Sequence, residues 1–341
     1  MGKKIIAVTM GDPAGVGAEV IVKAVHQLTG KLTAGFLIIG DQRFLLKAVE
    51  SCKLPLRIAT VNSVEEAEFQ QGVLTVLDLN NADPKLISYG HISTAAGQAA
   101  YQYVEKAIQL ALTREVAAVV TAPLNKAALN QAGYHYSGHT EIFASLTNTS
   151  DYAMMLVEDS LRIIHVSTHV ALRKACDLVT KERVFQVIRL AVEAGKLLGL
   201  PRIRIGVAGL NPHSGEGGLF GDEEIREIIP AIERAAKEGF DVEGPLPPDT
   251  IYVKAKNGLF DFVIAMYHDQ GHIPLKLVGF SFEEGRINIS GVNVTLGLPI
   301  IRTSVDHGTA FDQAGKGTAS PDSMVNAIEL AVLMAGAKKG S

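Results

Sequence analysis

The sequence predicts an α/β protein on three observations. Apolar runs of strand length alternate with amphipathic helical stretches from the first residues onward, the order that builds parallel sheets with helices on their faces. At 341 residues and 47% apolar content the chain can bury a large core, and the length favours two domains. Three histidines, His169, His213 and His268, each stand just past an apolar run, in Val166-Ser-Thr-His169, Leu210-Asn-Pro-His213 and Met266-Tyr-His268-Asp-Gln-Gly271. The ends of parallel strands converge on a crevice where ligands bind, so residues distant in sequence become neighbours there.

Residues 3–10 read as a first strand, Gly11 to Gly17 as a Gly-rich turn, and 18–28 as a helix with Glu19 near its positive end. Further strands are expected at 36–39 and 73–77, a long helix at 94–112, and an apolar strand at 116–122 before Pro123-Leu-Asn-Lys126 opens another helix. At 130–138 Gly, Tyr, His and Ser replace the pattern, which places a hinge there, and Gly138-His-Thr-Glu141 starts a new helix. Strands at 154–157, 162–166, 203–207 and 262–266 follow, three of them leading to the histidine motifs. A Gly-rich loop at 302–316 leads to an amphipathic helix at 323–334, read as returning to the first domain. The expected division is 1–130 plus 300–341 against 131–299, with no internal repeat and a short polar tail at 338–341.

Charge excludes several functions. With 32 basic and 36 acidic residues, a net charge of −4 and no long run of either sign, the chain lacks the electrostatic footprint of a nucleic-acid or membrane-surface binder. No apolar stretch reaches transmembrane length, and the N-terminal one stops at Gly11-Asp-Pro, too short for a secretory signal. Cys52 and Cys176 are isolated thiols without CxxC spacing, which fits a reducing, cytoplasmic setting.

Three neutral imidazoles bind a divalent cation and leave coordination positions open for substrate, the arrangement of catalytic sites. A single histidine beside a strand is more often a hydrogen-bonded structural residue; three at strand exits favour the metal. His165, inside its strand, reads as a core residue or a support to the ligands, while His26, His91 and His135 read as surface or hinge residues. His272 and Asp269 flank His268, and Asp269 can orient an imidazole. Gly138-His139-Thr140 stands where backbone N–H groups favour an anion, the alternative being an ordinary cap. Lys276 and Arg302 would add positive charge there or pair with surface carboxylates, and Asn293, between apolar neighbours, is a ligand contact or a turn residue. Gly11 to Gly17 matches neither G-x-G-x-x-G nor the Walker pattern. The stretch Ser304-Val-Asp-His-Gly-Thr-Ala-Phe-Asp-Gln-Ala-Gly-Lys-Gly317 resembles the adenine-side loop of the β-decarboxylating dehydrogenases of the isocitrate and isopropylmalate type, which hold NAD without a Rossmann fingerprint.

Six blocks in order, Met10-Gly-Asp-Pro-Ala-Gly-Val-Gly, Thr121-Ala-Pro-Leu-Asn-Lys, Gly138-His-Thr-Glu, Gly209-Leu-Asn-Pro-His-Ser-Gly-Glu, Ala265-Met-Tyr-His-Asp-Gln-Gly and Leu298-Pro-Ile-Ile-Arg-Thr-Ser-Val-Asp-His-Gly-Thr, resemble the 4-hydroxythreonine-4-phosphate dehydrogenase family across nearly the whole chain. The resemblance implies a two-domain fold like the isocitrate and isopropylmalate dehydrogenases, with the active site in the cleft between the domains. It implies metal ligands at His169, His213 and His268, substrate contacts at His139, Thr140, Lys276, Asn293 and Arg302, and NAD contacts at Asp306, His307, Gly308 and Thr309. It also implies a homodimer whose metal site is shared between subunits, His268 coming from the partner. Asp151-Tyr-Ala-Met-Met, Ile164-His-Val-Ser-Thr-His-Val-Ala-Leu-Arg-Lys174 and Gly271-His-Ile-Pro-Leu-Lys276 resemble the D-threonate 4-phosphate or D-erythronate 4-phosphate branch, whereas the biosynthetic branch typically reads Gly-Leu-Pro where His272 and Ile273 stand here. The 281–290 segment also reads as longer than usual, at the substrate rim.

The implied reaction is NAD-dependent oxidation of the C3 hydroxyl of a 4-phosphorylated four-carbon acid and loss of carbon dioxide. It would use one divalent cation (Zn, Co, Mg or Mn) and give dihydroxyacetone phosphate from D-threonate 4-phosphate. Lys276 and Asp249 are the candidates for accepting the hydroxyl proton. A second reading keeps the family and takes 4-hydroxy-L-threonine 4-phosphate as substrate. Two further readings leave out redox chemistry: a three-histidine metallohydrolase or aldolase, and a binding protein for phosphorylated acids.

Overall fold

A computed structural model describes residues 3–283 and 286–337; Glu284 and Gly285, within the 281–290 segment, and the 338–341 tail lie outside the described residues. The chain begins β1 (Lys4–Thr9), α1 (Gly17–Leu28), β2 (Ala34–Gly40), α2 (Gln42–Ser51), β3 (Arg57–Val61), β4 (Val73–Asp78), α3 (Thr94–Leu112), β5 (Ala118–Thr121), α4 (Lys126–Gln131) and α5 (His139–Leu146). It continues β6 (Ala153–Glu158), β7 (Leu161–His165), α6 (Leu172–Leu178), α7 (Lys181–Leu197), β8 (Arg204–Ala208), α8 (Ile229–Lys237), β9 (Asp241–Leu246), α9 (Ile251–Lys256), β10 (Phe262–Ala265) and α10 (His268–Gly279). Last come β11 (Phe280–Glu283), β12 (Arg286–Ile289), β13 (Val292–Leu296), β14 (Arg302–Val305) and α11 (Asp322–Ala337).

These elements form two compact units. The first takes in Met1–Ser150, Ser281–Val292 and Leu298–Ala335. Its strands lie in the order β3-β4-β2-β1-β5-β14, every neighbour pair parallel. Strands covered on both faces read as continuous apolar runs, and Ile6, Val8, Leu37 and Ile39 are accordingly sealed from solvent. The helices α2, α3 and α4 start where Asp41, Ser93 and Asn125 accept a hydrogen bond from a first-turn N–H.

The hinge expected at 130–138 does not end this unit. Tyr134 stacks on Tyr101 of α3 at 3.7 Å, and α5 buries Ile142, Phe143 and Ala144, so the chain stays with the first unit as far as Ser150.

The second unit comprises Asp151–Phe280 and Asn293–Gly297, and its strands follow the order β13-β6-β7-β10-β8-β9. The parallel expectation fails between β6 and β7, which form an antiparallel hairpin with Met155 opposite Ile164. Two residues, Asp159 and Ser160, connect them, and Asp159 takes φ 48°, the left-handed backbone that a tight hairpin turn requires. The three strands leading to the histidine motifs do run parallel, with Ile163 of β7 beside Val263 of β10, and Val263 beside Gly206 of β8. Their exits therefore open on the same edge of the sheet.

Cys52 and Cys176 are free thiols. Among the described residues no helix is long and apolar enough to cross a membrane.

Candidate active site

In the second unit the strand exits are fixed by side chains gripping backbone. Past β7, Val166 N–H donates to Ala265 O at 2.8 Å and Ser167 Oγ to Met266 O at 3.1 Å, tying the approach to His169 onto the exit of β10. Arg183 of α7 donates to Val166 O at 3.0 Å and Tyr152 O at 2.9 Å from behind. Gln270 joins the other two exits: its side-chain oxygen accepts from Met266 N at 2.6 Å and its amide donates to Gly209 O at 2.8 Å.

His268 is the first residue of α10, and its Nδ1 lies 2.6 Å from Asp269 Oδ1. A carboxylate only accepts, so Nδ1 carries the proton of the neutral ring and Nε2 keeps a lone pair for a cation. The rings of His169 and His268 stand 5.5 Å apart beside a cavity of about 290 Å³ lined by Thr168, His169, Val170, Leu172, Ala175, Tyr267, His268 and Asp269. Two imidazoles on one tetrahedral ion at about 2.0–2.1 Å place their ring centres about 5 Å apart, so this pair fits a shared metal.

His213 is not part of that pair. It sits in a left-handed turn with an exposed side chain, its Nδ1 3.3 Å from Glu216 Oε2. Among the described residues no group of three or more His, Cys, Asp or Glu side chains is arranged to hold a metal ion. Of the expected trio the chain brings two together, and the residue beside His169 is its own His268, where the resemblance implied a partner's.

Behind His268 lie two buried histidines. The His272 ring stacks on that of His268 at 3.6 Å with 11° between planes, and its Nδ1 donates to His268 O at 2.9 Å. His165 lies 4.8 Å from His272. Helix α10 passes so close here that a Cβ on Gly271 would run into the His165 ring, so only glycine fits at that position. Burial, with the neighbouring imidazoles, holds His272 down to about 4 and His165 down to about 3, so both are neutral at pH 7. Lys276, one turn further along α10, is half-buried with Nζ 5.6 Å from the Phe280 ring centre. Asn293, on β13, has a buried Oδ1 that meets no partner. Asp249 is exposed on the turn before α9 and makes no hydrogen bond or ion pair among the described residues, so nothing draws it toward Lys276.

The first unit holds the remaining residues expected to contact substrate. Arg302 on β14 is 2% exposed, donates from Nη2 to Thr121 Oγ1 at 2.8 Å and lies 5.5 Å from the Phe143 ring centre. Burial disfavours its charge and Glu141 partly offsets that. His139 and Thr140 open α5, which carries Phe143 to Arg302. Burial, and then the Arg302 charge, push His139 well below the usual histidine range, and its Nε2 is buried without a partner.

Asp306, His307, Gly308 and Thr309 follow β14 in this unit. His307 and Gly308 line a cavity of about 240 Å³ with Val16, Ile289, Ala310, Gln313, Ala319 and Ser320. Asp306 N–H donates to Ser323 Oγ at 3.1 Å and Thr309 O accepts from Val16 N at 3.0 Å. Buried Glu19 accepts from Gly315 N at 2.6 Å, and Lys23 donates to Gly317 O at 2.9 Å and Ala319 O at 2.6 Å. The Gly11 to Gly17 turn and α1 thus brace the 306–317 loop. In the sequence Glu19 reads only as a partner of the helix dipole and Gln270 carries no signal, because no local pattern marks a side chain whose partner is a distant backbone.

The pyridoxal phosphate biosynthetic protein PdxA family matches residues 33–331. The chain is 48% identical over 334 residues to a D-threonate 4-phosphate dehydrogenase of Pectobacterium atrosepticum, covering 97% of this chain and 99% of that one. It is 48% identical over 336 residues to one of Salmonella typhimurium, covering 98% and 100%. A crystal structure of a 4-hydroxythreonine-4-phosphate dehydrogenase from Klebsiella pneumoniae superposes with a TM-score of 0.85 at 45% identity, over 97% of this chain and 99% of that chain. With that match in sequence and fold, the chain belongs to the PdxA family of dehydrogenases.

Proposed function

We propose that the protein is an NAD- and divalent-metal-dependent dehydrogenase that oxidises and decarboxylates a 4-phosphorylated four-carbon hydroxy acid, D-threonate 4-phosphate or D-erythronate 4-phosphate, to dihydroxyacetone phosphate. The observation that carries this is the 48% identity, end to end, with two D-threonate 4-phosphate dehydrogenases. When bound, NAD would supply a hydride acceptor for C3, and a divalent cation would supply the Lewis acidity that favours loss of the C3 hydroxyl proton and of carbon dioxide.

The chain's own residues do the rest. His169 and His268 would hold the cation, with Asp269 fixing the His268 tautomer, and His213 is the third expected ligand. Arg302, His139 and Thr140 grip the phosphate, and this remote binding orients C3 against the nicotinamide. Asn293 and Lys276 contact the carbon skeleton, and Lys276 takes the hydroxyl proton. The 306–309 backbone, with the cavity that His307 and Gly308 line, would hold the adenosine end of NAD.

We read the protein as a cytoplasmic homodimer that shares its metal site. Exposed Ile273 and Leu277 on α10, and Leu219 and Phe220 beyond His213, are apolar surface beside the ligands that a second copy would cover. The Klebsiella structure and the family description support a second substrate, 4-hydroxy-L-threonine 4-phosphate. Parallel kinetics with the three phosphorylated compounds, following NADH with Co²⁺, Zn²⁺, Mg²⁺ or Mn²⁺ present, test the assignment. The highest kcat/KM is expected for D-threonate 4-phosphate, and no NADH with any of them rejects the dehydrogenase reading.

A further inference from the structure

We infer that Glu224 is a positioning residue for His213: its buried carboxylate fixes the chain that leads into the turn carrying that ligand. The inference rests on the reading of His213 as a metal ligand.

The turn is unusual. His213 to Gly217 have φ of 52°, 56°, 78°, 45° and 67°, five successive left-handed residues of which His213, Ser214 and Glu216 carry a Cβ. L-residues avoid that region, so the surroundings have to enforce it. Glu224, 1% exposed at the start of the π-helical turn Glu224–Ile228, is what lies beneath. Its Oε1 accepts from Leu210 N and Asn211 N, both at 2.7 Å, and its Oε2 accepts from Asn211 Nδ2 at 2.9 Å. The top of the turn rests on the same group: a Cβ on Gly215 would stand 2.8 Å from Oε2.

The polarity of the cluster is as specific as its shape. Asn211 Nδ2 also donates to Glu223 Oε2 at 2.7 Å, so its two amide hydrogens go to two carboxylates. That bond holds the Glu223 carboxyl below its usual range. A glutamine at 224 would keep an oxygen for the two backbone N–H groups but turn an NH₂ toward the Asn211 NH₂. Asn211 cannot reverse its amide in response, because its oxygen would then face the Glu223 carboxylate. With both Glu224 oxygens occupied, the residue acts on the metal through His213 and not as a ligand itself.

The test uses the full-length protein stripped of metal and titrated with Co²⁺ against a chromophoric chelator, with NAD affinity and thermal unfolding measured alongside. E224Q is expected to weaken Co²⁺ binding by about 10- to 100-fold, the range for residues that orient ligands, with NAD affinity unchanged. In the H213A background E224Q should cause no further loss, because the ligand it positions is gone. E223Q/E224Q should regain most of the affinity, since Asn211 can then turn its oxygen toward two amide NH₂ groups. Wild-type Co²⁺ affinity in E224Q, or the same loss with and without His213, overturns the inference. Should E224Q not fold, the double variant decides, and Co²⁺ binding as weak as that of H213A overturns it. If H213A itself binds Co²⁺ normally, the ligand reading falls and takes this inference with it; E224Q at wild-type affinity beside a deficient H213A removes the inference alone.

Discussion

Gln270 spans two strand exits, taking the Met266 N–H on its side-chain oxygen at 2.6 Å and giving its amide hydrogen to Gly209 O at 2.8 Å. His268 is two residues before Gln270 and His213 four residues after Gly209, so one buried side chain sets the spacing from which both histidines start. Q270A leaves a buried donor and a buried acceptor unmet, at about 1–3 kcal/mol each. Urea unfolding should show a loss of that order together with weaker Co²⁺ binding. Q270E should be worse than Q270A, because it sets a carboxylate against the Gly209 carbonyl, and equal stability of the two would reject the assigned amide orientation.

The buried imidazoles give the protein a defined acid limb. His165 is held down to about 3 in the fold against an ordinary value near 6.5, so the unfolded chain binds the extra proton first as pH drops. Its stabilising contribution is complete above pH 6.5 and is lost progressively as pH falls from there toward 3. One pKa unit corresponds to 1.36 kcal/mol, so by pH 5 the loss reaches about 2 kcal/mol for this residue. In EDTA-treated protein H165L should flatten the fall in unfolding free energy between pH 7 and 5. An unchanged slope would mean that His165 already titrates normally in the fold.

Arg302 is proposed to bind the phosphate. Arg302→Lys keeps a charge but gives up the planar fork that reaches Thr121 Oγ1. The variant should raise KM for the phosphorylated acid by about tenfold while changing KM for NAD much less, since uniform binding of one substrate is what it removes. A parallel rise in both constants would show general loss of structure.

Glu19 offers the converse. Glu19→Ala releases Gly315 N–H, and with it one of the fixed points of the 306–317 loop. KM for NAD is expected to rise severalfold with Co²⁺ affinity unaltered, because the histidine pair belongs to the other unit. Glu19→Gln, which keeps an oxygen for the Gly315 N–H, should restore most of the NAD affinity.

The sequence disclosed the α/β class and the strand exits because both are written in local pattern: uninterrupted apolar runs, then a His within a few residues of the run's end. The antiparallel β6–β7 pair was also open to reading, since Glu158-Asp-Ser-Leu161 is a hairpin connection between two apolar runs. The extent of the first unit was harder. Tyr134, placed in a supposed hinge, belongs by its stacking to a helix more than twenty residues earlier. Gln270, Glu224 and Glu19 were hidden for a related reason: each is a polar residue on a helix or turn whose partner is main chain across the fold. For His213 the three glycines after Ser214 hinted at a left-handed path, yet nothing in the sequence named the carboxylate that sustains it.

Glu19 and Lys23 hold the segment from Gly315 to Ala319 wholly through peptide N–H and C=O groups. Such an attachment is blind to which side chains the segment carries, so Thr318 can be exchanged while both fixed points of the loop persist. Variation in the side chains of this segment therefore leaves the framework beneath it standing.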